Sequence, residues 1–226
     1  GFTNVVLGEG IYDLDRMAEN MGKPFRTQDA LMIKKYPCCG GNHAMLDSLF
    51  SMMRDNDFTY DDVADAEIDQ SYFSVVMLYQ EPEDELKGKF SAKYNVAAAL
   101  IDGEIGIDTF TDEKIAEHND KNTMDKVRTR VMAKSEELLT ESGDGLKVKI
   151  TLKDGRVFEH ITAREDILGS QKNPWGFDAI KEKFQENVSR VLSANGTAKA
   201  IATWENIPEM TDIATAIRST LVAEKS

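Results

Sequence analysis

Cysteine is nearly absent: Cys38 and Cys39 are the whole complement in 226 residues, and they are adjacent. Neighbouring cysteines close almost no loop, so they offer no disulfide framework of the kind that staples secreted domains. Free thiols in a reducing cytoplasm fit this usage better, and the expected location is cytoplasmic. Histidine is equally scarce. A zinc site on the thiol pair would need two more ligands, and His43, His118 and His160 stand at spacings that match no metal motif, so no metal is expected. No apolar run approaches the roughly 20 residues of a membrane span. A basic-then-apolar leader is also missing. Positive charge is in deficit, with 27 Lys and Arg against 40 Asp and Glu for a net charge of -13, which removes any general attraction to nucleic acid or an anionic membrane. What remains is an ordinary globular composition, 41% apolar and 30% charged, with no internal repeat and no low-complexity segment. The length suits one large domain or two small ones.

Against this plain background one stretch is dense in chemistry: Lys34-Lys35-Tyr36-Pro37-Cys38-Cys39-Gly40-Gly41-Asn42-His43. Pro37 sets its own φ and pushes Tyr36 out of the helical region, so the chain arrives extended at the cysteines. Gly40 and Gly41 then allow a sharp turn. Asn42 is a favoured N-cap, and Leu46, Leu49, Phe50 and Met53 repeat at helical spacing, which predicts a helix from His43 to about Arg54. Its first amides lack partners within the helix, and with the helix dipole they suit a carboxylate or phosphate beside Lys34 and Lys35. His43 falls on the buried stripe at the positive helix end, where a neutral imidazole with a lowered pKa is favoured. Two readings of these residues stand together. One is an anion site with a proton acceptor; the other is a capped helix start with a core histidine and two inert thiols.

Elsewhere the pattern is mixed. Gly1 to Gly10 shows no clear periodicity; Asp13 or Asp15 caps a short helix containing Leu14, Met17, Ala18 and Met21, ended by Gly22. Val63 to Tyr79 is rich in β-branched and aromatic residues and predicts one long or two short strands. Ser91 caps a helix that ends at Gly103, and Thr111 caps another over Asp112 to His118. Near Thr123 to Lys134 a helix should turn into a strand. Leu146 to Leu152 alternates before Asp154-Gly155, which predicts a hairpin with one buried face and a lysine face in water. Pro174 opens a helix carrying Phe177, Ile180, Phe184, Val188, Val191 and Leu192, with Asn195-Gly196 ending it. A linker containing Trp204 and Pro208 then leads to a last short helix around Ile213, Ile217 and Leu221. The expected class is α+β: an antiparallel sheet with packed helices over 62–172, a helical segment over 1–61, and C-terminal helices over 173–226.

The stretch Ile33 to Asp47 resembles the MmgE/PrpD family. Gly88 to Gly103, the Asp154-Gly155 hairpin, and Asn173-Pro174-Trp175 leading to Lys183-Phe184 look like the same family in the same order. Members include 2-methylcitrate dehydratase, cis-aconitate decarboxylase and iminodisuccinate epimerase. The resemblance implies an α+β lid on a larger all-helical domain, with a cleft between them. It also implies proton abstraction beside a carboxylate of a small di- or tricarboxylate, without metal or organic cofactor. By that resemblance Lys34 binds and stabilises carboxylate charge, His43 is a general acid/base or substrate contact, and Tyr94 is a cleft hydrogen-bond or proton donor. Lys35, Cys39, Gly40 and Gly41 join Lys34 as substrate-binding candidates. At Cys39 the family's decarboxylase has a second histidine, which argues against decarboxylation. The other cleft residues of the family belong to its N-terminal helical domain and match nothing here. The chain is therefore expected to be a C-terminal portion that folds but turns over nothing alone, with that domain or a companion chain as partner and a homodimer as the assembly. A non-catalytic α+β anion-binding or interaction module is the alternative.

Overall fold

The computed structural model describes residues 2–23, 31–70, 79–131, 138–140 and 143–220. Contacts divide the chain into two units, Gly1–Met32 and Ile33–Ser226.

In the first unit, Phe2–Leu7 (α1) is helical although its sequence carries no clear periodicity, and Gly8, at φ 88°, stops it. Asp13 caps Leu14–Ala18 (α2), accepting from the amides of Asp15 and Arg16 at 3.0 and 3.1 Å. This helix ends a turn before the predicted Gly22, because Asn20 already turns left-handed at φ 62°.

The second unit is built on a sheet with helices on one face. His43–Asn56 (α3) follows a 3-10 turn over Gly40–Asn42. Val63–Gln70 (β1) is the described part of the long strand expected to Tyr79; residues 71–78 lie outside the described residues. Three helices follow, Glu85–Lys89 (α4), Ala92–Asp102 (α5) and Asp112–Asp120 (α6), before Val127–Val131 (β2), Leu139–Thr140 (β3), Gly143–Leu152 (β4) and Val157–Ala163 (β5). The predicted caps are present: Ser91 Oγ accepts from the Tyr94 amide at 3.2 Å, Gly103 ends α5 at φ 71°, and Thr111 Oγ1 accepts from the Lys114 amide at 3.2 Å.

The sheet is mixed, which corrects the expectation of a wholly antiparallel one. β4 pairs antiparallel with β1 and β5, but β1 and β2 run parallel, in register from Ala66 with Val127 to Gln70 with Val131. Parallel neighbours need a crossover connection, and α4 to α6 supply it. The β4–β5 hairpin forms where Asp154-Gly155 predicted it, with Gly155 at φ 90°.

Ala66 and Ile68 face the same side as Val148 and Ile150, their partners across the ladder, and all four are buried under α3 and α5. Ala97, Ala98 and Ala99 are fully buried on α5, which packs against α3, β2 and α6. On the opposite face, the lysine row of β4 is only partly in water, because β1 opposes it with acids. Arg130 forks onto Asp69 at 2.7 and 2.8 Å, and Lys149 meets Glu67 at 2.9 Å. Lys147 lies 3.4 Å from Asp69, whose side chain is 1% exposed. Burial pushes the Asp69 carboxyl up, but Arg130 and Lys147 outweigh it and hold it below the usual carboxylate range.

C-terminal to the sheet, Phe177–Val188 (α7) starts three residues after Pro174, with Gly176 at its N-cap. The expected linker is instead a helix, Ala194–Glu205 (α8): Ser193 accepts from the Gly196 amide at 3.1 Å, so Asn195-Gly196 opens a helix rather than closing one. Ile213–Thr220 (α9) follows. Among the described residues no helix is long and apolar enough to cross a membrane.

Candidate functional site

Residues Ile33 to Asn42 form a loop held by every element around it. The Ile33 amide donates to the Gly169 carbonyl at 3.0 Å. Tyr36, 3% exposed, donates its hydroxyl to Asp47 at 2.9 Å, and Asp47 also accepts from the Leu168 amide at 3.0 Å. The Lys89 carbonyl takes both the Cys39 amide at 3.0 Å and Asn42 Nδ2 at 3.1 Å. Asn42 gives Nδ2 to α4, while its Oδ1, the atom a cap would use, meets no donor among the described residues. With its backbone already helical at φ -82° and ψ -17° it makes no side-chain cap, contrary to the sequence reading, and the turn over Gly40–Asn42 opens α3 in its place. Neither Gly40 nor Gly41 needs a positive φ to make this turn. Their amides find no backbone or side-chain acceptor among the described residues, as the orphan donors of a helix start require.

Three passages that carry the family resemblance therefore meet at this loop. The central stretch is clamped by Lys89 of the Gly88–Gly103 passage. It is also clamped by Lys183 of the last passage, whose Nζ donates to the Lys34 carbonyl. Lys34 Nζ in turn donates to the Cys38 carbonyl at 3.1 Å, which folds its exposed head back over the loop. The hairpin turn is not part of the cluster.

His43 is fully buried, with its ring edge-on to Tyr36 at a centroid distance of 5.2 Å. The carbonyls of Tyr36 and Cys38 bear on it, yet neither ring nitrogen attains hydrogen-bond geometry among the described residues. Burial first, then the ammonium groups of Lys34 and Lys183, outweigh the two carbonyls and bring its pKa down to about 4. The imidazole is neutral, as its position at the helix start predicted. An unfolded chain takes a proton on this histidine near pH 6.5, the folded chain only near pH 4, so between those values the unfolded state binds more protons. The stability this group contributes is complete above pH 6.5 and is lost as pH falls toward 4, an effect of about 3 kcal/mol. Denaturant unfolding of wild type and His43→Gln across that range is expected to show a steeper acid loss in wild type; parallel curves would contradict the neutral buried imidazole.

Around the histidine, burial pushes the Cys38 thiol up to about 12, which makes it inert, and raises the Tyr36 hydroxyl together with Asp47. Cys39 is half-buried. Burial, and then Lys34, lower the Lys183 ammonium, with Glu186 opposing them.

Two grooves open on either side of a wall made by Lys35, Tyr36 and Phe50. The first, of about 340 Å³, is bounded by Trp175, Lys183, Glu182 and Glu186. The second, of about 370 Å³, lies over Ser48, Arg54, His160 and Thr162. Both are in the size range of small-ligand sites. Lys35 lines both grooves; Lys34 lies on the loop beside them and His43 directly behind Tyr36, and neither of these two lines a groove.

Tyr94 is elsewhere. It is fully buried, its hydroxyl donates to the Thr109 carbonyl, and its ring packs edge-on to His118 at 5.1 Å. Expected in the cleft, it is a core residue between α5 and α6, because a tyrosine on the buried stripe of α5 has a carbonyl within reach that satisfies it. Lys183, Trp175 and Asp47 are site residues that sequence reasoning did not single out. Only the family passage around Lys183 signalled it.

The sequence profile of the MmgE/PrpD C-terminal domain matches residues 36–206. Over 134 residues the chain is 26% identical to the cis-aconitate decarboxylase of Mus musculus, covering 58% of this chain and 26% of that protein. The Homo sapiens cis-aconitate decarboxylase is 26% identical over 132 residues, with the same shares. The chain thus spans 26% of the length of these curated relatives, about a quarter. With the match extending over most of its length and the family's passages converging on one loop, the chain belongs to the MmgE/PrpD family, of which it carries the C-terminal domain.

Proposed function

We propose that this chain is the C-terminal part of a cofactor-independent lyase or isomerase that moves a proton beside a carboxylate of a small di- or tricarboxylate, in the manner of a 2-methylcitrate dehydratase. One observation carries the reading. In a chain whose acids exceed its bases by 40 - 27 = 13, Lys34, Lys35 and Lys183 surround one loop, and none makes an ion pair with a carboxylate among the described residues. Cations left unneutralised beside a helix start suit an anionic ligand. Lys34 and the free amides of Gly40 and Gly41 hold a carboxylate beside Cys39 and steady the enolate-like charge that grows when the neighbouring carbon loses its proton. That same carboxylate offsets the two ammonium groups that depress His43, so ligand binding raises the imidazole's affinity for a proton and makes it a better acid/base.

The relatives are named as decarboxylases of cis-aconitate, a small tricarboxylic acid, which supports the substrate class. Cys39, where the decarboxylase pattern has histidine, favours elimination or epimerisation over loss of carbon dioxide. The remaining catalytic groups come from the helical domain or a companion chain, and the working assembly is a homodimer. A second reading, a module that binds an anion without reacting it, is favoured by the burial of His43 behind Tyr36. Titration with citrate is the test of the shared anion site. Lys34→Ala is expected to weaken binding about tenfold; equal affinities in the two proteins would remove Lys34 from the site.

A further inference from the structure

The geometry points to Lys183 as the cation that receives the second carboxylate of the ligand whose first carboxylate meets Lys34, so that the site reads a short diacid by two-point attachment. This rests on the anion-binding reading of Lys34 given above. Lys183 sits on α7 as a half-buried ammonium at the wall of the 340 Å³ groove. Of its three donor hydrogens, one is spent on the Lys34 carbonyl. The Trp175 ring lies 5.9 Å away, and no carboxylate pairs with Lys183 among the described residues although Glu182 and Glu186 are its neighbours on α7. A half-buried cation with donors left over is costly unless something compensates it. Lys35 lines the same groove and adds to its positive end.

The two cations are tied to one short segment. Lys183 holds the carbonyl of Lys34, and the Lys34 ammonium holds the carbonyl of Cys38 at 3.1 Å, so backbone between residues 34 and 38 sets the distance between them. Their charges also bear on each other and on the same imidazole. Glu104, Glu182 and Glu186 occupy the rest of the groove wall and repel any carboxylate that is not seated on the lysines. A long diacid would carry its far carboxylate toward them, whereas a short one keeps both ends on ammonium groups.

The test is calorimetric titration of the 226-residue chain with succinate and with succinamate, which keeps the shape and removes one charge. Wild type and Lys183→Arg are expected to prefer succinate about tenfold. Lys183→Met and Lys183→Gln, the latter retaining a donor for the Lys34 carbonyl, are expected to bind both acids equally, with succinamate affinity kept. A preference for succinate that survives in both neutral variants overturns the inference and leaves the Lys34 reading standing. A parallel loss of both acids also overturns it, since Lys183 would then merely brace the loop. A wild-type chain that binds neither acid overturns the Lys34 reading and this one together.

Discussion

Lys34→Ala in a full-length protein carrying this chain is expected, on the proposed function, to lower kcat/KM for the proposed carboxylate substrate by a factor of about 10² to 10³, the effect of removing one group that stabilises developing charge. Proton removal beside a carboxylate pushes negative charge onto the carboxylate oxygens, and a donor already aimed there acts without reorganisation. Lys34 is held in place, with its backbone oxygen fixed by Lys183 and its ammonium by the Cys38 carbonyl. Its head is solvent-exposed, so the substitution leaves the core untouched and the circular dichroism spectrum should not change. His43→Gln should produce a comparable loss, and it should also flatten the acidic limb of the pH profile at pH values where both proteins remain folded, where a purely structural histidine would leave the limb unchanged. Full turnover in Lys34→Ala would remove Lys34 from the catalytic machinery.

Gly169→Ala is expected to destabilise the fold by about 3 kcal/mol, or about 10 °C in melting temperature for a chain of this size. Gly169 has φ 92°, which disfavours any side chain, and an added Cβ would stand 2.1 Å from the Ile33 carbonyl oxygen and 3.1 Å from its carbon. A flexible side chain could swing aside; a backbone carbonyl cannot. That close approach exists because the Ile33 amide bonds the Gly169 carbonyl, so relieving the clash also releases the start of the Lys34 loop. Gly155→Ala is the control. Its φ is 90° but nothing lies within 4 Å of the added Cβ, so only the backbone term remains, about 1 kcal/mol. Similar melting temperatures for the two variants would rule out the contact with Ile33 as the cause.

Much of this molecule was legible locally. Ser91, Gly103 and Thr111 act at the helix ends where their side-chain chemistry predicts them, and the alternation before Asp154-Gly155 becomes a hairpin. These features are decided within a few residues, by hydrogen bonds and backbone preferences that travel with the sequence. Ser193 carries the same signal as Ser91, and the helix it caps was missed because Asn195-Gly196 reads more strongly as a stop than as a first turn. Asn42 fails as a cap for the opposite reason. The Lys89 carbonyl, 47 residues away, holds its Nδ2, and the 3-10 turn that brings it there leaves its backbone helical and its Oδ1 without a donor.

The lysine row of β4 shows the same limit at the scale of a sheet. Alternation correctly places Lys147 and Lys149 on one face, but it says nothing of the strand beside them, and the acids of β1 turn an apparent solvated surface into a charge ladder. Tyr94 and Lys183 exchange roles in the same way. Each sits on a helix at a position that allows either burial or contact with a ligand. The Thr109 carbonyl takes the tyrosine into the core, and the Lys34 carbonyl brings the lysine to the site.

The sequence by itself determined the α+β class, the family and the loop around which the site is built, because each is carried by residues close together along the chain. Tertiary structure alone decided the parallel pairing of β1 with β2, the seclusion of His43 behind Tyr36 and the arrival of Lys183. Those outcomes turn on which groups meet across long separations, where one carbonyl or one carboxylate settles whether a polar side chain is core or site.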